Sequence, residues 1–287
     1  MIDLHSHTDR SDGTLTPAEL VAGAVRAGIT TLAVTDHDTF VGFDTALPIA
    51  RDAGLELLCG IEVSTKFHGA SVHLLGYFLT QPPSAELRQW LNFLLEQRRD
   101  RNIRLIARLQ ELGLDITLAE VEGMGRTLTA RPHFARVLVD KGYVKTLQEA
   151  FDVYLDEAAQ GFVQRHDVPM SEAIERIKAG GGISSLAHPV RVAKNHWSTL
   201  ERYTEELAGL GMDCIEAHHS DHSPEDVSFY TTLAARFQLG ITGGSDFHGA
   251  NKPKISLGTG KNHNLHLPPD LLPKLLALAS ERAAARA

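Results

Sequence analysis

The run Met1-Ile2-Asp3-Leu4-His5-Ser6-His7 has the length of one short strand and ends in two histidines one residue apart. In an extended chain residues i and i+2 project to the same side, so both imidazoles can address one cation. On its own such a pair is weak, because period-2 spacing also arises by chance. Its meaning depends on whether other strand ends carry the same chemistry.

Outward from that run, short apolar segments alternate with amphipathic helices, the pattern of a parallel sheet with helical crossovers. Seven strands are expected, at about 2–5, 31–35, 55–63, 71–78, 182–187, 214–217 and 240–243. Thr16-Pro17 followed by Glu19, and Ser223-Pro224, carry helix-start signals. The connection from Phe78 to Gly182 is too long and too periodic for a loop and reads as helices, including one from about Ser84 to Leu112. The expected organisation is a barrel domain of residues 1–78 and 183–287 with a helical insertion, 79–182, acting as a substrate lid. The insertion holds 14 Lys+Arg against 15 Asp+Glu, and the remainder 14 against 21, so the barrel carries most of the formal net charge of -8. On the long helix Arg101, Arg104 and Arg108 share a face by spacing, either as a solvated stripe or as a phosphate-facing surface. The Ala-rich tail, 283–287, is expected to fray.

The 287 residues, 43% hydrophobic, suffice for a full core. Two cysteines, Cys59 and Cys214, cannot build a disulfide framework, and a reducing cytoplasm is expected. Neither a signal peptide nor a membrane span is expected. The net acidity disfavours stable binding of duplex nucleic acid. Histidine occurs 15 times, often beside Asp or Glu after a strand-like segment.

Those placements carry the chemistry. Asp12 follows His7 in a loop, the second strand ends in Thr35-Asp36-His37-Asp38, the third contains Glu62, and the fourth contains His73. The fifth ends in Ala187-His188-Pro189, and the seventh in Ser245-Asp246-Phe247-His248. Singly, His73 reads as a core histidine and Glu62 as a buried, partnered carboxylate. Together they put a ligand type near six of seven strands, on the face where α/β barrels build their sites. Imidazole and carboxylate without thiolate suit Mn²⁺, Fe²⁺ or Zn²⁺, and a bridging carboxylate suggests a cluster of ions. Ions about 3.5–4 Å apart can share a hydroxide and clamp a phosphoryl group for in-line attack.

In these motifs, taken in order, the chain resembles the PHP phosphoesterases, the polymerase and histidinol phosphatase family related to the amidohydrolases. The resemblance covers nearly the whole chain and implies a distorted (β/α)7 barrel with two or three divalent ions, Mn²⁺ in preference to Zn²⁺ or Fe²⁺. It implies a first ion on His5, His7, Glu62 and Asp246. A second would share Glu62 and take His73 and His188, and a third would take Asp12, His37 and His248. Asp12 stands where some relatives have His. Glu62, Asp246 and His188 would form the catalytic set.

Within the insertion, Thr129-Ala130-Arg131-Pro132-His133-Phe134-Ala135-Arg136, with Lys141-Gly142-Tyr143, resembles the subgroup that removes the 3′-phosphate of nucleoside 3′,5′-bisphosphates. Relatives in that subgroup trim short RNA from the 5′ end. The second phosphate would need fixed cationic donors, with Arg131 and His133 first and Arg99 behind them; the plain alternative is that Arg131-Pro132 only starts a helix. Asn195, His196, His218, His219 and His222 follow the fifth and sixth strands, and of these His196 and His222 are the preferred substrate contacts. The alternatives are histidinol-phosphate phosphatase, C–N hydrolase and a non-catalytic module.

Overall fold

A computed structural model describes residues 1–125, 129, 131–164, 167–192 and 196–286. The chain opens with β1 (Ile2–Asp3), α1 (Pro17–Arg26), β2 (Thr31–Val34), α2 (Val41–Asp52), β3 (Glu56–Phe67) and β4 (Ala70–Phe78). Then come α3 (Ala85–Glu111), α4 (Leu118–Gly125), α5 (Arg131–Asp140), α6 (Leu147–Ala150), which runs on into a π-helical turn Phe151–Leu155, and α7 (Met170–Ala179). The chain finishes with β5 (Ile183–Leu186), α8 (Trp197–Gly209), β6 (Cys214–His219), α9 (Pro224–Arg236), β7 (Gly240–Gly244), a small hairpin of β8 (Ile255–Ser256) and β9 (Gly260–Lys261), and α10 (Leu271–Ala284).

Strands β1 to β7 form one sheet in sequence order. Its ends meet: the amides of Leu4, Asp246 and His7 donate to the carbonyls of Gly243, His5 and Phe247 at 3.2, 2.9 and 2.9 Å. The result is a distorted (β/α)7 barrel with a helical insertion after β4. Apolar side chains fill its interior, and Tyr77 donates its buried hydroxyl to the Leu4 carbonyl at 2.9 Å. Both expected helix starts form capping boxes, Thr16 with Glu19 on α1 and Ser223 with Asp226 on α9.

The sheet is not parallel throughout, as the alternating pattern suggested. β4 runs antiparallel to both β3 and β5. The physical reason is the two-residue connection His68-Gly69, whose φ values of 47° and 77° define a tight hairpin turn. A parallel pairing there would need a crossover of a dozen or more residues.

Two compact units result: Met1–Trp90 with Val168–Ala287, and Leu91–Asp167. The second unit lies inside the expected insertion of 79–182. At the insertion's far end, α7 packs against β3, β4 and β5, burying Ile174 and Ile177, and so serves the barrel as its crossover helix. The second unit has its own core, with Leu105, Leu109, Ile116, Phe134 and Leu138 buried together. Its arginines do not share one role. Arg101 is buried, whereas Arg104 and Arg108 are exposed, and Arg108 donates to Glu111 and to the Gln160 carbonyl.

Candidate metal centre

The rim of the barrel is held by buried polar anchors. Asp3 takes the Ser245 amide and hydroxyl and the Gly258 amide at 2.8, 2.6 and 2.7 Å, tying β1 to the loops after β7. Asp36 accepts from the Thr8 amide, the Thr8 hydroxyl and the Ser11 hydroxyl at 2.7, 2.6 and 2.7 Å. It thereby clamps the loop that carries Asp12. Gly42 is required beside it, since a Cβ there would lie 1.8 Å from Asp36 Oδ2.

On this frame the nine expected ligands converge. His5 Nε2 and His7 Nε2 lie 3.2 and 3.1 Å from Glu62 Oε2, and each lies 3.5 Å from Asp246 Oδ1. The other oxygen of Glu62 faces His73 Nδ1 at 3.0 Å and His188 Nε2 at 2.9 Å. Asp12 faces His248 Nε2 at 3.2 Å and His37 Nε2 at 3.6 Å. His73 reaches this rim because β4 is reversed, which brings its first half level with the ends of the parallel strands. His188 and Asp246 both sit at positive φ, 28° and 56°, so the backbone is strained at two of the converging residues.

Protonation suits cation binding at several of these donors. Burial opposes charge on Glu62, but His37, His5 and His73 overcome it and hold the carboxyl well below its usual range. Asp246 is likewise held down, against its burial, by His5, His219 and His7. Burial pushes His37 down to about 4 and His188 down to about 3, leaving neutral imidazoles. His5 is the opposite case: burial would lower it, and Glu216, Glu62 and Asp246 raise it well above the usual value. His7 is raised to about 9, against its burial, by Asp246, Glu62 and Asp12.

The sequence reading missed Glu216. Its Oε1 accepts from His5 Nδ1 at 2.8 Å and its Oε2 from the His188 amide at 2.7 Å, both fully inside the protein. The first bond fixes the His5 tautomer with Nε2 turned toward Glu62 and Asp246. A single Glu inside the apolar run Cys214-Ile215-Glu216-Ala217 was the available signal. His219 is also drawn inward, because a register shift between Glu216 and His218 reverses the alternation. Its Nδ1 accepts from the Asp221 amide, so its Nε2 donates to Asp246 Oδ2 at 3.3 Å. His218 instead lines a cavity of about 520 Å³ with residues of β7 and α10.

The expected substrate contacts belong to both units. Arg131 opens α5 and donates to the Leu155 carbonyl at 3.2 Å, and His133 lies two residues on in the same helix. Arg99 is exposed and pairs with Glu122 at 3.2 Å. All three belong to the second unit. His196 is exposed just before α8, whereas His222 is buried against the rings of His219 and Tyr230, with Nδ1 donating to the Ala217 carbonyl at 3.0 Å. Asn195 and Ala130 lie outside the described residues.

The donors fit divalent cations. In each of the groups His5–His7–Glu62–Asp246, His37–Glu62–His73 and His7–Asp12–His37–His248, one donor atom per residue lies within 4.8 Å of the others. His7 Nε2 is buried and makes no hydrogen bond although Glu62 Oε2 is 3.1 Å away. A buried nitrogen that comes this near a carboxylate oxygen without hydrogen-bond alignment fits two ligands around a common ion.

A barrel rim of this kind is that of a metal-dependent hydrolase. The PHP domain model matches residues 3–223. The 3′,5′-nucleoside bisphosphate phosphatase of Chromobacterium violaceum is 32% identical over 93% of each chain. The 5′-3′ exoribonuclease Rnm of Escherichia coli is 35% identical over 89% of this chain and 87% of its own. A solved Bifidobacterium adolescentis structure assigned to the metal-dependent phosphoesterases superimposes with a TM-score of 0.78, at 30% identity over 96% of both chains. The chain belongs to the PHP family and is a phosphoesterase. Among the described residues no helix is long and apolar enough to cross a membrane.

Proposed function

We propose that this phosphoesterase removes the 3′-phosphate of nucleoside 3′,5′-bisphosphates, such as adenosine 3′,5′-bisphosphate, leaving the 5′-monophosphate. The observation that carries the reading is the convergence on Glu62 of donor sets that continue into Asp12 and Asp246. It is supported by similarity along 93% of both chains to a phosphatase of that specificity.

His5, His7, Glu62 and Asp246 would hold one ion, Glu62, His73 and His188 a second, and Asp12, His37 and His248 a third, with Mn²⁺ the proposed metal. Bound divalent cations would supply Lewis acidity at the phosphoryl oxygens and lower the pKa of the attacking water. Glu62, Asp246 and His188 form the proposed catalytic set. Glu62 directs its two oxygens to different imidazole groups, and Glu216 and the Asp246 carbonyl take the Nδ1 protons of His5 and His248, presenting Nε2 of each to the site. The phosphate that stays is assigned to Arg131 and His133, with Arg99, His196 and His222 as further candidates. Arg131 uses one N–H on the Leu155 carbonyl, and its other donors can grip an anion. Buried free thiols at Cys59 and Cys214 suit a reducing compartment, and the cytoplasm is proposed.

A second reading, 5′-3′ exonuclease action on short RNA, is favoured by 35% identity to the Escherichia coli exoribonuclease. Phosphate release from adenosine 3′,5′-bisphosphate, mononucleotide release from a 5′-phosphorylated oligoribonucleotide, and histidinol phosphate as a third substrate separate the readings. Arg131→Ala should raise KM for the bisphosphate at least about tenfold, equivalent to about 1.4 kcal/mol, with a much smaller effect on an aryl phosphate. Equal losses on both substrates would remove Arg131 from phosphate recognition.

A further inference from the structure

Asp246 has two differently occupied oxygens. Oδ1 faces His5 and His7, whereas Oδ2 accepts from His219 Nε2 at 3.3 Å, Arg191 Nη2 at 3.0 Å and Lys252 Nζ at 2.5 Å. Arg191 lies in the 3-10 turn Pro189–Arg191 after His188, and Lys252 follows the turn Gly249–Asn251 after His248. The expected substrate contacts included neither cation.

A carboxylate that holds a divalent cation would share its charge with it, and a hydrogen bond to its outer oxygen would orient it. Here His219 makes that bond, yet two full positive charges are added. Both stand nearer solvent than the group they touch: the Arg191 and Lys252 side chains are 38% and 29% exposed, and that of Asp246 is 1%. Arg191 divides its other contacts onto Asp221 and leaves Nη1 without a partner among the described residues. The one bond of Lys252 Nζ among the described residues is to Asp246, so two of its three donors are available. Unused cationic donors at the edge of a ligand set can take an anion that is not part of the protein.

We infer that Arg191 and Lys252 form a clamp for the phosphate that reacts, holding its non-bridging oxygens beside the Asp246 ligand set. The inference rests on the phosphoesterase reading of the same site. It assigns the reacting phosphate to Arg191 and Lys252. Charge developing on the equatorial oxygens during phosphoryl transfer would then meet donors already in place.

The test is calorimetric titration of inorganic phosphate into the Mn²⁺-loaded wild type, Arg191→Met and Lys252→Met, with metal content and melting temperature measured on the same samples. Each variant is expected to keep wild-type metal content and to bind phosphate at least about tenfold more weakly. Arg191→Lys keeps the charge without the planar fork and is expected to fall between. It also provides a folded comparison should Arg191→Met prove unstable. Wild-type phosphate affinity in either Met variant at full metal content would overturn the clamp, as would a loss that only tracks missing metal. A wild type that binds phosphate through both cations but hydrolyses no nucleoside bisphosphate would leave the clamp standing and remove the substrate reading.

Discussion

Substituting Glu216 perturbs the metal centre without touching any of the nine expected ligands. In Glu216→Ala two fully buried donors, His5 Nδ1–H and the His188 amide, lose acceptors at 2.8 and 2.7 Å. Each buried donor left unsatisfied costs about 1–3 kcal/mol, so the pair costs about 2–6 kcal/mol. Glu216→Gln retains an acceptor for one donor but turns an NH₂ toward the other, which halves the expected cost to about 1–3 kcal/mol. For a protein of this size each kcal/mol lowers Tm by roughly 2–4 °C. Freed from Glu216, His5 also loses its fixed tautomer, and metal affinity should fall by about 10–100-fold. The assays are circular-dichroism melting and competitive titration of Mn²⁺ against a chromogenic chelator, run on wild type, Gln and Ala. Stability and affinity should both fall in that order. Wild-type melting and wild-type metal affinity in Glu216→Gln would refute the positioning role.

Gly244→Ala should destabilise the protein by about 1–3 kcal/mol or more, because the new Cβ would meet His5 N at 2.3 Å and His5 Cβ at 2.4 Å, backbone-bound atoms that cannot swing aside; an unchanged denaturation midpoint would contradict this closeness of β7 and β1. Burial pushes the Cys59 thiol up to about 12 and raises Cys214 as well, so neither should react with a thiol reagent near neutral pH until denaturant is added. Reaction of the native protein at the denatured rate would show that the barrel opens readily. Glu62→Gln and Asp246→Asn should each abolish phosphate release while leaving the far-ultraviolet spectrum unchanged, and substantial turnover by either metal-replete variant would remove that residue from the catalytic set.

The centre was legible in the sequence wherever a ligand type closes a strand, as at His5, His7, His37, His188 and Asp246. Strand ends on one face of a barrel must meet, so chain order alone brings such residues together. What alternation could not reveal was direction and phase. The reversal of β4 depends on the backbone of His68-Gly69, a pair without the usual Asn-Gly or Asp-Gly signature of a two-residue hairpin. The inward turn of His219 depends on a bulge that breaks the period of two, leaving His218 and His219 indistinguishable beforehand. Glu216 lies inside a strand, where a carboxylate reads as an exception and not as a partner. Arg191 and Lys252 lie in loops, where a charge is ordinarily solvated, and only the geometry around Asp246 Oδ2 separates them from other surface cations.

The histidine–carboxylate cluster is expected to make this chain a phosphoesterase through the cations it holds. The most direct test strips the purified protein of metal, verifies the loss by elemental analysis, and follows phosphate release from adenosine 3′,5′-bisphosphate as Mn²⁺ is returned. Activity should be absent from the stripped protein and should rise with the amount of bound metal. Full phosphate release by protein shown to contain no metal would contradict a metal-dependent reaction at this cluster.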